Sequence, residues 1–338
     1  MKQKKSDIVA VARAAKVSAS TVSRSFNHPE LVKATTRKKI DAAVRKLGYI
    51  RNRAAQTIHG IRSGTVGVIV PTIDHAIFAE LIQSFSEKIE ELGFTILIAS
   101  HGYDLQREYA LTRKMLEHRV DGMALVGTEH EAETMLLLKS QGIPSTLLWN
   151  YDAAAHAPCV GVDNHHAGVL IGAHVAQLGH QHVGALFPPL VGNDRAAQRL
   201  SGVVAGLNRY GVSIDPAHRL ETHYGVGAAK DAVGAFLEGG PLPTALICGN
   251  DVLAWGALHA IARAGLKVPD DISVAGIGDF RGSREFEPAV TTVRIPARQI
   301  GAKAAALIVR MITAPEDGFE GVRIEPQLMV RETTRPTL

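Results

Sequence analysis

The chain has little that would anchor, staple or catalyse. In its 338 residues no apolar run approaches the ~18 residues that a bilayer span requires, so no membrane partner is expected. Only two cysteines are present, Cys159 and Cys248, each inside an apolar run that reads as a strand. That usage excludes a disulfide framework and suits free thiols in a reducing cytosol. Metal-ligand spacing is missing as well. The histidines at 165, 166, 174, 180 and 182 have neither cysteine partners nor an HExxH context, so they read as solvated or core residues. No GxSxG turn offers a nucleophile. Gly276-Ile277-Gly278 lacks the spacing of a dinucleotide fingerprint. Neither a cofactor nor an enzyme activity is therefore expected. The start, Met1-Lys2-Gln3-Lys4-Lys5, has the charge of a secretion signal, but no apolar segment or cleavage site follows it. The end, Arg335-Pro336-Thr337-Leu338, has no heptad pattern, so no coiled-coil tetramer is expected.

What the chain does have is an uneven charge. Residues 1–62 hold fifteen Lys and Arg against Asp7, Glu30 and Asp41, a net of +12, while the whole chain carries +4, which leaves −8 for the rest. A basic head on an acidic body is the layout of a nucleic-acid binder. The length exceeds one ordinary domain.

Within the basic part, Ile8, Val11, Ala12 and Ala15 fall at i, i+3, i+4 and i+7, one apolar helical face. Lys16-Val17 reads as a turn, and Ser18 can cap a second helix. There Val22 and Phe26 point inward, leaving Ser20, Thr21, Ser23 and Arg24 outside. Small hydroxyls around one arginine bury little area but suit phosphates and base edges, the geometry of a helix-turn-helix. His28-Pro29-Glu30 reads as a loop. A third helix follows from Thr36, with Ile40, Ala43, Val44 and Leu47 inward and Gly48 as its stop.

From Thr65 the pattern changes to alternating strands and helices. Val66–Val70, Phe94–Ala99 and Met123–Val126 read as strands, with helices over Phe78–Leu92 and Gln106–Glu117. Helix stops recur at Gly93, Gly142, Gly179, Gly211 and Gly265. Such units argue for parallel sheets covered on both faces. They are too many for one sheet, so two doubly wound lobes with a ligand cleft between them are expected.

Val11-Ala12, Val17-Ser18, Thr21-Val22-Ser23-Arg24 and Asn27 resemble the N-terminal signature of the lactose-repressor (LacI/GalR) family of bacterial transcription regulators. The resemblance continues through Val66-Gly67-Val68-Ile69-Val70-Pro71, Phe78-Ala79-Glu80-Leu81, Asp121-Gly122, Leu178-Gly179-His180, Arg199-Leu200-Ser201-Gly202, Asn250-Asp251, Ile272-Ser273-Val274-Ala275-Gly276 and Thr291-Thr292-Val293. It therefore covers nearly the whole chain. It implies an all-α helix-turn-helix headpiece (1–50), a hinge and linker (51–63), and an α/β periplasmic-binding-protein-like core (64–338). That core would be two doubly wound parallel-sheet lobes, about 64–162 with 294–322 and about 163–293 with 323–338.

The resemblance also assigns roles. Arg24 would read guanine with its bidentate fork. Ala19 and Ser20 take the positions that choose the operator, and Ser18, Thr21, Ser23 and Asn27 those that hold phosphates. Asn52, Ala55 and Ile58 match a hinge that becomes helical in the minor groove, with Ile58 as the apolar wedge. Two departures stand out: Lys16 where the family has a turn glycine, and Arg51 where it has a proline before the hinge. Phe78, Arg199 and Asn250 match effector contacts, while Asp251 is expected only to cap a helix. His101, Tyr103, Asp163 and His166 follow strands, where a cleft should lie. Gly278 stands where the family often has a sugar-gripping aspartate, with Asp279 beside it. That run, with His101-Gly102-Tyr103 and Val162-Asp163-Asn164, looks like the gluconate-regulator branch, which implies a sugar-acid effector.

The expected protein is a cytoplasmic repressor of a carbohydrate or sugar-acid operon. It would be a homodimer on double-stranded operator DNA, answering to a small sugar or sugar acid. A sugar-binding transport protein is the alternative, and a sugar-acid enzyme a weaker one.

Overall fold

A computed structural model describes residues 7–50, 62–74, 76–239, 241–316 and 318–337. The chain divides into two compact units, Met1–Ser63 and Gly64–Leu338.

In the first unit α1 spans Ile8–Ala15, α2 Ala19–Asn27 and α3 Ala34–Leu47. Asp7 caps α1 by accepting from the Ala10 amide at 2.8 Å, and Ser18 caps α2 by accepting from the Thr21 amide at 3.1 Å. Each cap satisfies an amide that the helix itself leaves unpaired. The three helices share a core of Val11, Ala12, Ala15, Val22, Ile40 and Ala43, with Phe26, Val44, Leu47 and Tyr49 packed on it. The expected loop after α2 is a 3-10 turn over Pro29–Leu31, and α3 begins two residues earlier than its apolar period indicated. Lys33, its N-cap residue, makes no side-chain capping bond, so the start carries none of the usual sequence signal.

Lys16 ends α1 in the left-handed region, at φ 55 and ψ 48. A Cβ there costs roughly 1–2 kcal/mol, part of which glycine gives back through its freer unfolded chain. Lys16→Gly is thus expected to stabilise the headpiece by up to about 1 kcal/mol, read as a higher urea midpoint. A lower midpoint would mean that the unfolded-state entropy wins.

The second unit is built on two six-stranded sheets. The first contains β1 (Thr65–Val70), β2 (Thr95–Ser100), β3 (Gly122–Val126), β4 (Ser145–Asn150), β5 (Cys159–Val162) and β11 (Val322–Arg323), ordered β11-β5-β4-β3-β1-β2 and parallel throughout. The second contains β6 (Val183–Phe187), β7 (Ile214–Glu221), β8 (Ala245–Cys248), β9 (Ser273–Gly278), β10 (Thr291–Arg294) and β12 (Gln327–Met329), ordered β12-β10-β9-β8-β6-β7. Only β12 in this sheet is antiparallel to its neighbour. Strands such as Val66–Val70 and Val183–Phe187 are buried along their length, as parallel strands covered on both faces must be. Cys159 and Cys248 are buried and unpaired with each other. Burial pushes both thiols up.

Helices α4 (Ala76–Glu91), α5 (Leu105–Glu117), α6 (Ala132–Ser140), α7 (Asn164–Gln177), α8 (Asp194–Asn208), α9 (Val226–Leu237), α10 (Asp251–Arg263) and α11 (Ala297–Thr313) cover the sheets. The chain passes between the sheets after β5, after β10 and between β11 and β12. Arg294 belongs to the second sheet and Arg323 to the first. In both sheets the second strand in sequence lies outside the first and the third on its other side, so the order reverses at β1/β3 and at β6/β8. Ligands bind beyond the carboxyl ends of strands at such points.

Candidate functional site

Two regions could carry function, one in each unit. On α2 of the headpiece, Ser20 and Arg24 are exposed four residues apart and so share one helical face. The Arg24 side chain has no hydrogen bond or ion pair among the described residues. Its five donors are available to an acceptor outside the protein. Thr21 and Ser23 are half-buried beside it. Ser18 is tied locally: beyond its cap, its hydroxyl lies 2.8 Å from those of Ser20 and Thr21. Ala19 is half-buried and packs on the headpiece core. Asn27 closes α2 in the backbone, and its side chain lies outside the description. The hinge residues Asn52, Ala55 and Ile58 lie outside the described residues.

The other region is the crevice between the two sheets. Phe78 on α4 tilts against Trp149 at the end of β4, ring centroids 5.4 Å apart. Tyr103, after β2, faces Tyr224, after β7, at 6.0 Å. With Arg195 and Arg199 on α8, Asn250 after β8 and Phe280 after β9, these residues enclose about 20 Å³, room for one water-sized body. Beyond the two tyrosines an outer pocket of about 350 Å³ opens, bounded by Thr72, Gly102, Pro188, Pro189, Val191, Asn193 and His223. Tyr103 and Trp149 hold φ of 64 and 81, a region that aromatic residues avoid and that recurs at functional sites.

Arg199 is 5 % exposed. Its Nε donates to Asn164 Oδ1 at 2.8 Å and its Nη1 to the Gly249 carbonyl at 3.1 Å. Nη2 has no hydrogen-bond partner among the described residues. Burial, opposed by Tyr224, pushes its pKa down, but a guanidinium keeps its charge throughout the range of life. Close packing of α7 on α8 sets this geometry: a Cβ on Gly168 would stand 2.1 Å from the Arg199 carbonyl oxygen. Only glycine lets Asn164 come that near.

From Arg199 a polar chain runs across the crevice. Asn164 Nδ2 donates to Asn150 Oδ1 at 3.0 Å, and Asn150 Nδ2 to Asp194 Oδ2 at 2.8 Å. Asp194 Oδ2 also accepts from the Thr128 amide at 2.7 Å, the Thr128 hydroxyl at 3.0 Å and the Glu129 amide at 3.3 Å. Asp194 Oδ1 takes the Arg195 amide at 2.8 Å and Arg195 Nη1 at 2.7 Å. Asp194 begins a helix of the second lobe, whereas Thr128, Glu129 and Asn150 end strands of the first. One carboxylate thus latches the lobes. Burial alone would raise its pKa, but Arg195 and the Thr128 donors more than offset that and hold it below the usual range. Arg195 also lies 6.0 Å over the Tyr103 ring, and burial pushes the Tyr103 phenol up, so it stays a neutral donor.

Of the expected effector residues, the crevice brings together Phe78, Tyr103, Arg199 and Asn250. Asn250 also caps α10, accepting from the Leu253 amide at 3.0 Å. The capping expected of Asp251 falls to Asn250. Asp251 instead accepts from Ser283 Oγ at 2.5 Å, Thr292 Oγ1 at 2.6 Å and the Phe280 amide at 2.9 Å, which fixes Phe280 in the wall. Asp279 is turned away and spent on two arginines, Arg294 at 2.6 Å and Arg331 at 2.5 Å. Asp163 caps α7 by accepting from the His166 amide at 2.8 Å, and neither residue lines either pocket. His101 lies behind Tyr103, 2 % exposed and 3.9 Å from the buried Glu108 carboxylate. Burial lowers its pKa. Trp149, Tyr224, Phe280, Arg195 and the Asp194 latch had no signal of their own in the sequence.

Residues 7–52 match the model of the bacterial regulatory proteins, lacI family, and residues 173–334 that of the periplasmic binding protein-like domain. The chain is 29% identical over 339 residues to the HTH-type transcriptional repressor CytR of Escherichia coli (strain K12), covering 99% of each. A LacI-family transcriptional regulator from Silicibacter pomeroyi shares its fold at a TM-score of 0.87 and 25% identity, over 98% of this chain and 99% of that one. The lac repressor dimer bound to operator and the anti-inducer ONPF gives 0.85 at 25% identity, over 98% and 100%.

Proposed function

Because this chain belongs to the lacI family of bacterial regulatory proteins and is a DNA-binding transcriptional repressor with a ligand-binding domain, we propose that it is a cytoplasmic homodimer that represses a sugar-acid utilisation operon. A pseudo-palindromic operator would supply one half-site to each headpiece. Arg24 and Ser20 contact base edges there. Ser18, Thr21, Ser23 and Asn27 hold phosphates, Ala19 adds its methyl group, and Ile58 wedges the minor groove between Asn52- and Ala55-bearing hinges.

The observation that carries the effector class is Arg199, a buried guanidinium with one nitrogen unpartnered among the described residues, in a crevice walled by aromatic rings. A buried charge needs a partner, and a carboxylate would complete the fork. No carboxylate of the crevice is left to grip a neutral sugar: Asp194 is saturated, Asp251 is buried behind Phe280, and Asp279 is paired. The 20 Å³ inner space holds no sugar acid as it stands, so binding must part the lobes or turn the tyrosines. An acid that competes for Arg199 pulls on Asn164 and, through Asn150, on the Asp194 latch. That gives the two lobe arrangements different affinities for the effector, without which no ligand shifts an equilibrium.

A thermal-shift screen of neutral sugars, sugar acids and phosphosugars tests this, since a ligand stabilises by mass action. Sugar acids are expected to raise Tm. A rise with neutral sugars alone would overturn the acid assignment.

A further inference from the structure

Resting on that reading, we propose that the effector is a glycosyl-substituted sugar acid, its carboxylate on Arg199 and its neutral ring in the outer pocket. The inner space is too small to be the whole site, and the outer one, at about 350 Å³, lies within the range of small-molecule pockets. The two share Tyr103 and Tyr224, so this ring pair is a partition that one ligand can thread.

Among the described residues the outer lining has no Lys, Arg, Asp or Glu, and it includes one imidazole, His223. A second carboxylate or a phosphate would find no guanidinium or ammonium there, which favours a neutral tail. Pro188, Pro189 and the tyrosine rings offer flat apolar faces of the kind that take the C–H face of a pyranose. The polar requirement comes from Asn193. It is 2 % exposed, its Nδ2 donates to the Tyr224 hydroxyl at 3.3 Å, and its Oδ1 is buried with no partner among the described residues. It stands before α8 but makes no capping bond, so its side chain is not needed to start the helix. A buried acceptor without a donor is rare and marks a missing partner. A sugar hydroxyl is such a donor, and a hydroxyl keeps the tail neutral.

The test is calorimetric titration of the full-length protein with gluconate, with maltobionate, cellobionate and lactobionate, and with the neutral maltose, cellobiose and lactose. At least one glycosyl-aldonate is expected to bind about tenfold tighter than both gluconate and its own neutral disaccharide. Asn193→Ala should erase that advantage while leaving gluconate affinity within about twofold, which also shows that the variant is folded. The proposal is overturned if gluconate binds as tightly as all three, if a neutral disaccharide binds best, or if Asn193→Ala weakens gluconate and the longer acids equally. Gluconate binding alone would leave the sugar-acid reading standing. Binding by none of the acids would sink both.

Discussion

Arg199→Ala is expected to lower sugar-acid affinity by about a hundredfold while leaving operator affinity within about twofold. A hydrogen bond to a charged group contributes about 1.5–3 kcal/mol, and a carboxylate on this guanidinium would make at least one such bond in a buried site. The same substitution strips Asn164 Oδ1 and the Gly249 carbonyl of their donors. Some loss of core stability therefore accompanies the effect, and affinities should be measured well below Tm. Arg24 and Ser20 belong to a separate compact unit, so reading of the operator should survive. Loss of both activities together would make Arg199 a structural residue and remove the main support for an acidic effector.

Asp194→Ala should destabilise the core by about 3–5 kcal/mol, as breaking one side of a buried ion pair does. Six hydrogen bonds converge on this carboxylate, four of them from the opposite lobe. Removal leaves Arg195 charged and unpaired. Urea unfolding followed by tryptophan fluorescence would show the loss, since Trp149 lies beside Asn150 in β4. A change below about 1 kcal/mol would mean that the latch is as weak as a surface pair. The pH dependence has a definite sign. A carboxylate held below its usual 3.8 contributes stability that is complete above that value and lost as pH falls through the depressed one. The gap between wild type and Asp194→Ala should therefore persist at pH 5 and close only in stronger acid.

Much of this molecule was legible in the sequence because its signals are local. Ser18, the 3.6-residue spacing of Ile8, Val11, Ala12 and Ala15, and the inward pair Val22 and Phe26 place the first two helices without knowledge of anything distant. Lys16 is a local conflict that the fold accepts rather than avoids. The repeated helix–glycine–strand units gave two parallel sheets for the same reason. The crevice was less legible. Arg199, with Phe78 and Asn250, stood out because it matches an effector-contact position of the family the chain resembles. Trp149 and Phe280, in contrast, look like core residues until the strand ends of two sheets converge on them. Asp194 and Asn193 look like ordinary helix-start residues, and their roles depend on Thr128 and Asn150 in the other lobe and on Tyr224. Asp279 misled for a related reason. Its partner Arg331 lies 52 residues further along the chain, beyond any local pattern.

The central claim is that one small acid and one stretch of DNA compete through the same two-state core. Coupling of that kind is reciprocal. The most direct measurement is sugar-acid affinity of the full-length protein, free and when saturated with a DNA fragment selected by its own binding from a random pool. The account predicts that the acid binds at least about tenfold more weakly to the DNA-bound protein, and that the acid weakens DNA binding by the same factor. Equal acid affinity in the two states would contradict it.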